Sequence, residues 1–134
     1  MARWYPKDGE EKRKADARYE AMRQIAERLN LKLIDLEHMS GGTFSIRDMI
    51  DRKLPQSDIF VADLTGASPN VMIEIGMALH HIKQNRVLFY FQPSPAAQLV
   101  PFDISGYKYE HIVDSAEILT KIEPNIKQII ESLL

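Results

Sequence analysis

Two short, continuous apolar runs constrain the fold more than anything else in the chain. They are Asp58-Ile59-Phe60-Val61-Ala62-Asp63-Leu64 and Val87-Leu88-Phe89-Tyr90-Phe91. A strand with one face in water alternates apolar and polar residues, whereas a run without alternation belongs to a strand buried on both faces, as in parallel sheets covered by helices. Between them, Val71 to about Gln84 is apolar on nearly every side and reads as the crossover helix, with Ser68 and Pro69 as N-cap and first helical position.

The flanking segments fit the same plan. Glu10 to about Asn30 reads as a helix, because Tyr19, Met22, Ile25, Ala26 and Leu29 recur at spacings of three and four among charges. Leu31 to Glu37 and Tyr107 to Val113 alternate as strands, and residues 2–6 read as a short strand that carries Arg3. Gly41-Gly42-Thr43 marks a loop, Ser45 a cap for a short helix over Ile46–Leu54, and Pro55 its end. Residues 93–106 form a Pro-rich loop. Ser115 caps a last helix, which Pro124 should break or kink near its middle. Strands alternating with helices predict a single α/β domain over residues 1–134, a flavodoxin-like three-layer sandwich around a parallel sheet of about five strands.

Composition removes several classes of function. The 134 residues contain no cysteine, which excludes a disulfide framework, a thiolate zinc site and a cysteine nucleophile. No apolar run approaches the ~20 residues of a membrane span, and no signal peptide is visible, so the expectation is a cytoplasmic protein with no membrane partner. A net charge of −2 argues against nucleic-acid binding by bulk charge. Residues 1–32 nevertheless carry nine Lys and Arg against six Asp and Glu, so the first helix either greets phosphate or is a solvated face.

Between Asp63 and Lys83 there is one charged side chain, Glu74. It lies in the first turns of an apolar helix, just past the carboxyl end of a buried strand, where open α/β sheets bind their ligands. Its spacing from Ser68 and Asn70 does not fit a capping box. Glu74 is therefore either ion-paired to a neighbouring element or a catalytic or ligand-binding carboxylate. Gly76, two residues on, would let a ligand or backbone come close. Asp63 is either a second acidic group in the crevice or a ligand of the Thr65-Gly66 turn. Asn70, Ser68 and Thr65 divide in the same way between caps and substrate contacts, and Asp103 reads as a turn or cap residue. His81 follows Glu74 by seven residues, the wrong spacing for a metal pair, and no metal site is expected. Gly41-Gly42 fits neither a phosphate loop nor a dinucleotide fingerprint, and no nucleophile elbow is present.

The stretch Ser57-Asp58-Ile59-Phe60-Val61-Ala62-Asp63-Leu64-Thr65-Gly66, followed by Pro69-Asn70-Val71-Met72-Ile73-Glu74-Ile75-Gly76, resembles a recurring bacterial pattern, and Val100-Pro101-Phe102-Asp103-Ile104-Ser105-Gly106-Tyr107 resembles its second block. Together they look like the TIR-like predicted nucleotide-binding proteins related to nucleoside 2-deoxyribosyltransferases. The resemblance implies a flavodoxin-like fold and chemistry at an N-glycosidic bond. It maps the catalytic carboxylate onto Glu74 and the acidic residue of the deoxyribosyltransferase branch onto Asp63. Asn70, Thr65, Ser68, Gly66 and Tyr107 would shape the substrate pocket. The TIR-like branch includes NAD-consuming antiphage effectors that act as oligomers, so the implied partners are a nucleotide or nucleoside and further copies of the chain. NAD enters as substrate and no cofactor is implied.

The chemistry divides by leaving group. Cleavage passes through an oxocarbenium-like state that a carboxylate can stabilise or capture as a ribosyl ester. Nicotinamide leaves NAD as a neutral molecule and needs no acid. A nucleoside base leaves as an anion unless a second group, such as Asp63, protonates it. The alternatives to NAD cleavage are a deoxyribosyltransferase or nucleotide hydrolase, and a non-catalytic nucleotide-binding or assembly module.

Overall fold

The computed structural model describes residues 1–36, 48, 51–66, 69–95, 100 and 106–134. In chain order it contains α1 (Gly9–Arg28), β1 (Phe60–Asp63), α2 (Pro69–His81), β2 (Val87–Phe91), β3 (Glu110–His111) and α3 (Glu123–Leu133). Ser45, Gly41-Gly42, Ser68 and Asp103 lie outside the described residues.

The three strands form an open parallel sheet in the order β1-β2-β3, with Phe60 opposite Val87 and Tyr90 opposite Glu110. Alternate residues feed two cores. Phe60, Ala62, Phe89 and Phe91 pack with Val71, Ile75 and Ala78 of α2 and with Ile82 just past its end. Val61 and Tyr90 pack on the other face with Ala21, Met22 and Ile25 of α1 and with Ile118, Ile122 and Ile126. Helices thus cover both faces, which is why the strands show no polar alternation.

Among the described residues the sheet has three strands, where the sequence predicts about five. The two missing ones are reduced to single contacts at its edge. Ala2 bridges Ala62 in parallel, donating to Val61 O at 3.0 Å and accepting from Asp63 N–H at 2.9 Å. Met1 donates its amine to Ile34 O at 2.8 Å and accepts from Leu36 N–H at 3.1 Å. Two bonds on each side are too few for a ladder, and beyond them Arg3 and Asp35 bond to each other through their side chains. β3 is likewise shorter than the predicted Tyr107–Val113 strand, because pairing with β2 begins only at Glu110.

Local chemistry explains the helix ends. Asn30 takes a left-handed φ of 55°, and its N–H and that of Leu31 close back on Glu27 and Ala26, a two-bond terminus that stops α1. α2 begins at Pro69, as the Ser68-Pro69 pair predicts. Near the C-terminus the helix does not break at Pro124. Instead, Ile118–Ile122 widens into a π turn and α3 restarts at Glu123 with the proline in its first turn. Proline lacks an N–H and crowds the carbonyl four residues back, so the preceding turn must open. The Asn125 side chain bonds Lys121 O at 3.0 Å. No helix among the described residues is long and apolar enough to cross a membrane.

Candidate functional site

The buried stripe of α2 runs Val71, Glu74, Ile75 and Ala78 and continues to Ile82 just past the helix, spacings of three and four that aim one face at the sheet. Glu74 sits within this stripe, in the second turn of α2, with 4% of its surface exposed. The helix period, applied to an apolar segment that follows β1, is what carries this carboxylate inward. Its charge is felt at the Met1 amine, which burial pushes down to about 6 against the opposing pull of Asp35 and Glu74. Gly76 points the other way. It is exposed, and no described atom lies within 4 Å of where a Cβ would sit, so the close approach expected there is not made.

Asp63 ends β1 on the opposite face of the sheet, and both of its oxygens are engaged. Oδ2 accepts from Arg18 Nε at 2.6 Å, in an ion pair whose side chains are 2% and 3% exposed. Oδ1 accepts from the Thr65 N–H at 2.9 Å, the turn contact that Asp often makes two residues ahead. The Arg18 Nη1 donates to Gln92 Oε1 at 2.8 Å, and Gln92 Nε2 donates to Val113 O at 2.9 Å. The Gln92 N–H donates to Thr65 Oγ at 2.9 Å. A single buried network therefore joins α1 to the chain just beyond the carboxyl ends of all three strands.

Arg18 and Gln92 are the residues that sequence reasoning missed. Arg18 lies three before Ala21 and four before Met22 on the buried face of α1. The same periodicity that placed Met22 on the apolar face would have flagged the charge four residues before it. A second buried pair lies at the N-terminal edge. Arg3 meets Asp35 at 3.0 Å, its guanidinium stacked between the Tyr5 ring at 3.9 Å and the Tyr19 ring at 4.0 Å. Tyr5 also donates to Asp35.

Of the other expected residues, Thr65 is fully buried and its hydroxyl is taken up by Gln92. Gly66 adopts φ 61°, and a Cβ there would collide with the Trp4 ring. Its role in this structure is to let Trp4 lie on the turn backbone. Gly66→Ala should therefore cost about 3 kcal/mol, from the left-handed conformation and the overlap together; an unchanged midpoint in denaturant unfolding would contradict this. Asn70 falls in the first turn of α2, and its side chain is outside the description. Tyr107 is not brought to this end. It lies before β3, which pairs with β2 only from Glu110, and its ring stands edge-on to Phe89 at 6.1 Å.

Two cavities open at the amino end of the sheet. One, of about 490 Å³, lies beside Val87, Phe89 and Tyr107, and the other, of about 320 Å³, beside Met1, Ile25 and Ile59. Neither is lined by Glu74 or Asp63. Among the described residues no group of three or more acidic or His side chains could hold a metal ion.

Burial, reinforced by the charge of Asp63, pushes the Tyr90 phenol well above its ordinary value. Burial and the hydrogen bond to Asp35 do the same to Tyr5. Both phenols keep their protons in the folded state at a pH where the unfolded chain loses them. Stability is then held up to about pH 10 and falls as pH rises beyond it. Tyr90→Phe should flatten that fall without cost at neutral pH, because the hydroxyl has no hydrogen-bond partner among the described residues. Denaturant midpoints from pH 7 to 11 check both statements.

No protein-family model matches the chain, and no curated protein matches it.

Proposed function

We propose that this chain is an N-glycosidase that cleaves the ribosyl bond of NAD or a related nucleotide, with Glu74 as its catalytic carboxylate. The observation that carries the reading is the placement of Glu74, a carboxylate held 4% exposed on a helix that starts past the carboxyl end of β1. Asp63 accepts from Arg18 and from the Thr65 N–H. With Asp63 committed to the fold, the favoured substrate is one whose leaving group needs no proton. In NAD the bond from C1′ to the pyridinium nitrogen breaks with its electron pair moving onto nitrogen, so nicotinamide departs neutral. The carboxylate of Glu74 stabilises the ribosyl cation or captures it as an ester, and water then supplies the hydroxyl and releases a proton.

The same argument disfavours the nucleoside 2-deoxyribosyltransferase reading, which needs an acid for the departing base. For the fold, the contacts of Met1 with Ile34 and Leu36 and of Ala2 with Ala62 support a reduced flavodoxin-like order: residues 34–36, residues 1–2, β1, β2, β3. The resemblance to TIR-like proteins extends the proposal to a homo-oligomeric, cytoplasmic effector of antiphage defence.

The test is incubation of concentrated protein with NAD and, separately, with a panel of nucleosides and nucleotides, with products read by chromatography. Nicotinamide from NAD is the expected result. Base exchange between deoxynucleosides would replace this reading with the transferase. Silence on every substrate at high protein concentration would replace it with a binding or assembly module.

A further inference from the structure

We propose that the cavity of about 490 Å³ at the open edge of β2 binds a planar nucleobase of the adenine class, at a site separate from Glu74. The argument starts from strand geometry. Along a strand, successive residues turn their N–H and C=O to opposite sides. Tyr90 faces β1, since its carbonyl accepts from Leu64 N–H at 2.9 Å, and Phe91 faces β3, since its carbonyl accepts from Ile112 N–H at 2.9 Å. By the same alternation, Val87 and Phe89 face the β3 side.

β3, however, begins at Glu110, opposite Tyr90, so its ladder reaches back only as far as the Phe89 carbonyl. Among the described residues, the Phe89 N–H and the Val87 C=O stand beyond that ladder, one donor and one acceptor side by side toward the cavity. Phe89 is 4% exposed, and a buried N–H without a partner is costly. A heterocycle with an amino group beside a ring nitrogen matches this pair: the amino N–H donates to Val87 O and the ring nitrogen accepts from Phe89 N–H.

The walls suit a flat ring with a polar sugar attached. Leu79, Ile129 and the edge-on pair of Phe89 and Tyr107 are apolar surfaces, and the Asn85 and Gln128 carboxamides stand among the lining residues. The volume falls within the roughly 300–1,000 Å³ of small-molecule sites. A peptide strand fits less well, because the slot offers one donor and one acceptor before β3 resumes pairing.

The experiment is a titration of ¹⁵N-labelled protein with adenosine, followed by amide resonances and hydrogen exchange. Saturable shifts are expected at Val87–Phe89 and Tyr107–Tyr109, with slowed exchange of the Phe89 amide. N6,N6-dimethyladenosine, which lacks the donor for Val87 O, should bind about tenfold more weakly. Gln128→Trp, an exposed substitution that fills the cavity, should abolish the shifts while leaving the thermal midpoint unchanged. The proposal is overturned by no shift at millimolar adenosine, by equal affinity for the dimethyl analogue, or by shifts centred on the first turns of α2 instead.

Discussion

Glu74→Gln is expected to lower nicotinamide release by on the order of 10³-fold, about 4 kcal/mol of transition-state stabilisation, with the thermal midpoint unchanged or raised. The two readouts separate a catalytic carboxylate from a structural one. Gln keeps the shape and hydrogen-bonding capacity of Glu but carries no charge to set against an oxocarbenium ion. If Glu74 contributed chiefly through an ion pair, the substitution would leave a buried partner charge and lower stability by several kcal/mol. If its task is the ribosyl cation, the desolvation relieved by removing a charge from an apolar stripe offsets what the fold loses. Chromatography of the NAD reaction beside thermal unfolding of the same samples decides the matter. Retained activity in the Gln variant would end the proposed function, and lost activity with a collapsed midpoint would reassign the residue to the fold.

The largest effect on stability is expected from Arg18. Arg18→Met should cost about 3–5 kcal/mol, because it strands the buried Asp63 carboxylate and removes the donor to Gln92. Against the roughly 5–15 kcal/mol that holds a domain of this kind together, that is a large share, and the midpoint should drop by roughly 10–20 °C. The size of the loss follows from the asymmetry of buried ion pairs. Breaking one is expensive, while replacing both partners with apolar groups is nearly neutral. Adding Asp63→Leu to Arg18→Met should therefore recover at least half of the loss, leaving the Thr65 N–H and the Gln92 Oε1 as the unpaired groups. Denaturant unfolding of the two single variants and the double supplies the cycle. A loss under about 1 kcal/mol in Arg18→Met would show that the pair does not hold α1 to the sheet.

The elements that form as read are those whose chemistry is local. β1, β2, α1 and α2 lie where continuous apolar runs and three-and-four spacings put them, because a residue's face on a strand or helix depends only on its own neighbours in sequence. Glu74 stood out for the same reason, as the one charge in an apolar helix. Tertiary structure decided the rest. Asp63 reads in sequence as a crevice acid or a turn ligand; that it also pairs with Arg18, 45 residues away, depends on how α1 docks. Tyr107 lines a cavity that Glu74 does not, because β3 pairs only from Glu110 and leaves the chain before it outside the sheet. Among the described residues there are three strands rather than about five, because ladder length depends on how many residues of two distant segments stay within bonding reach. Periodicity within one segment says which side chains turn inward; it carries no information on which partner they meet or for how many residues the pairing lasts.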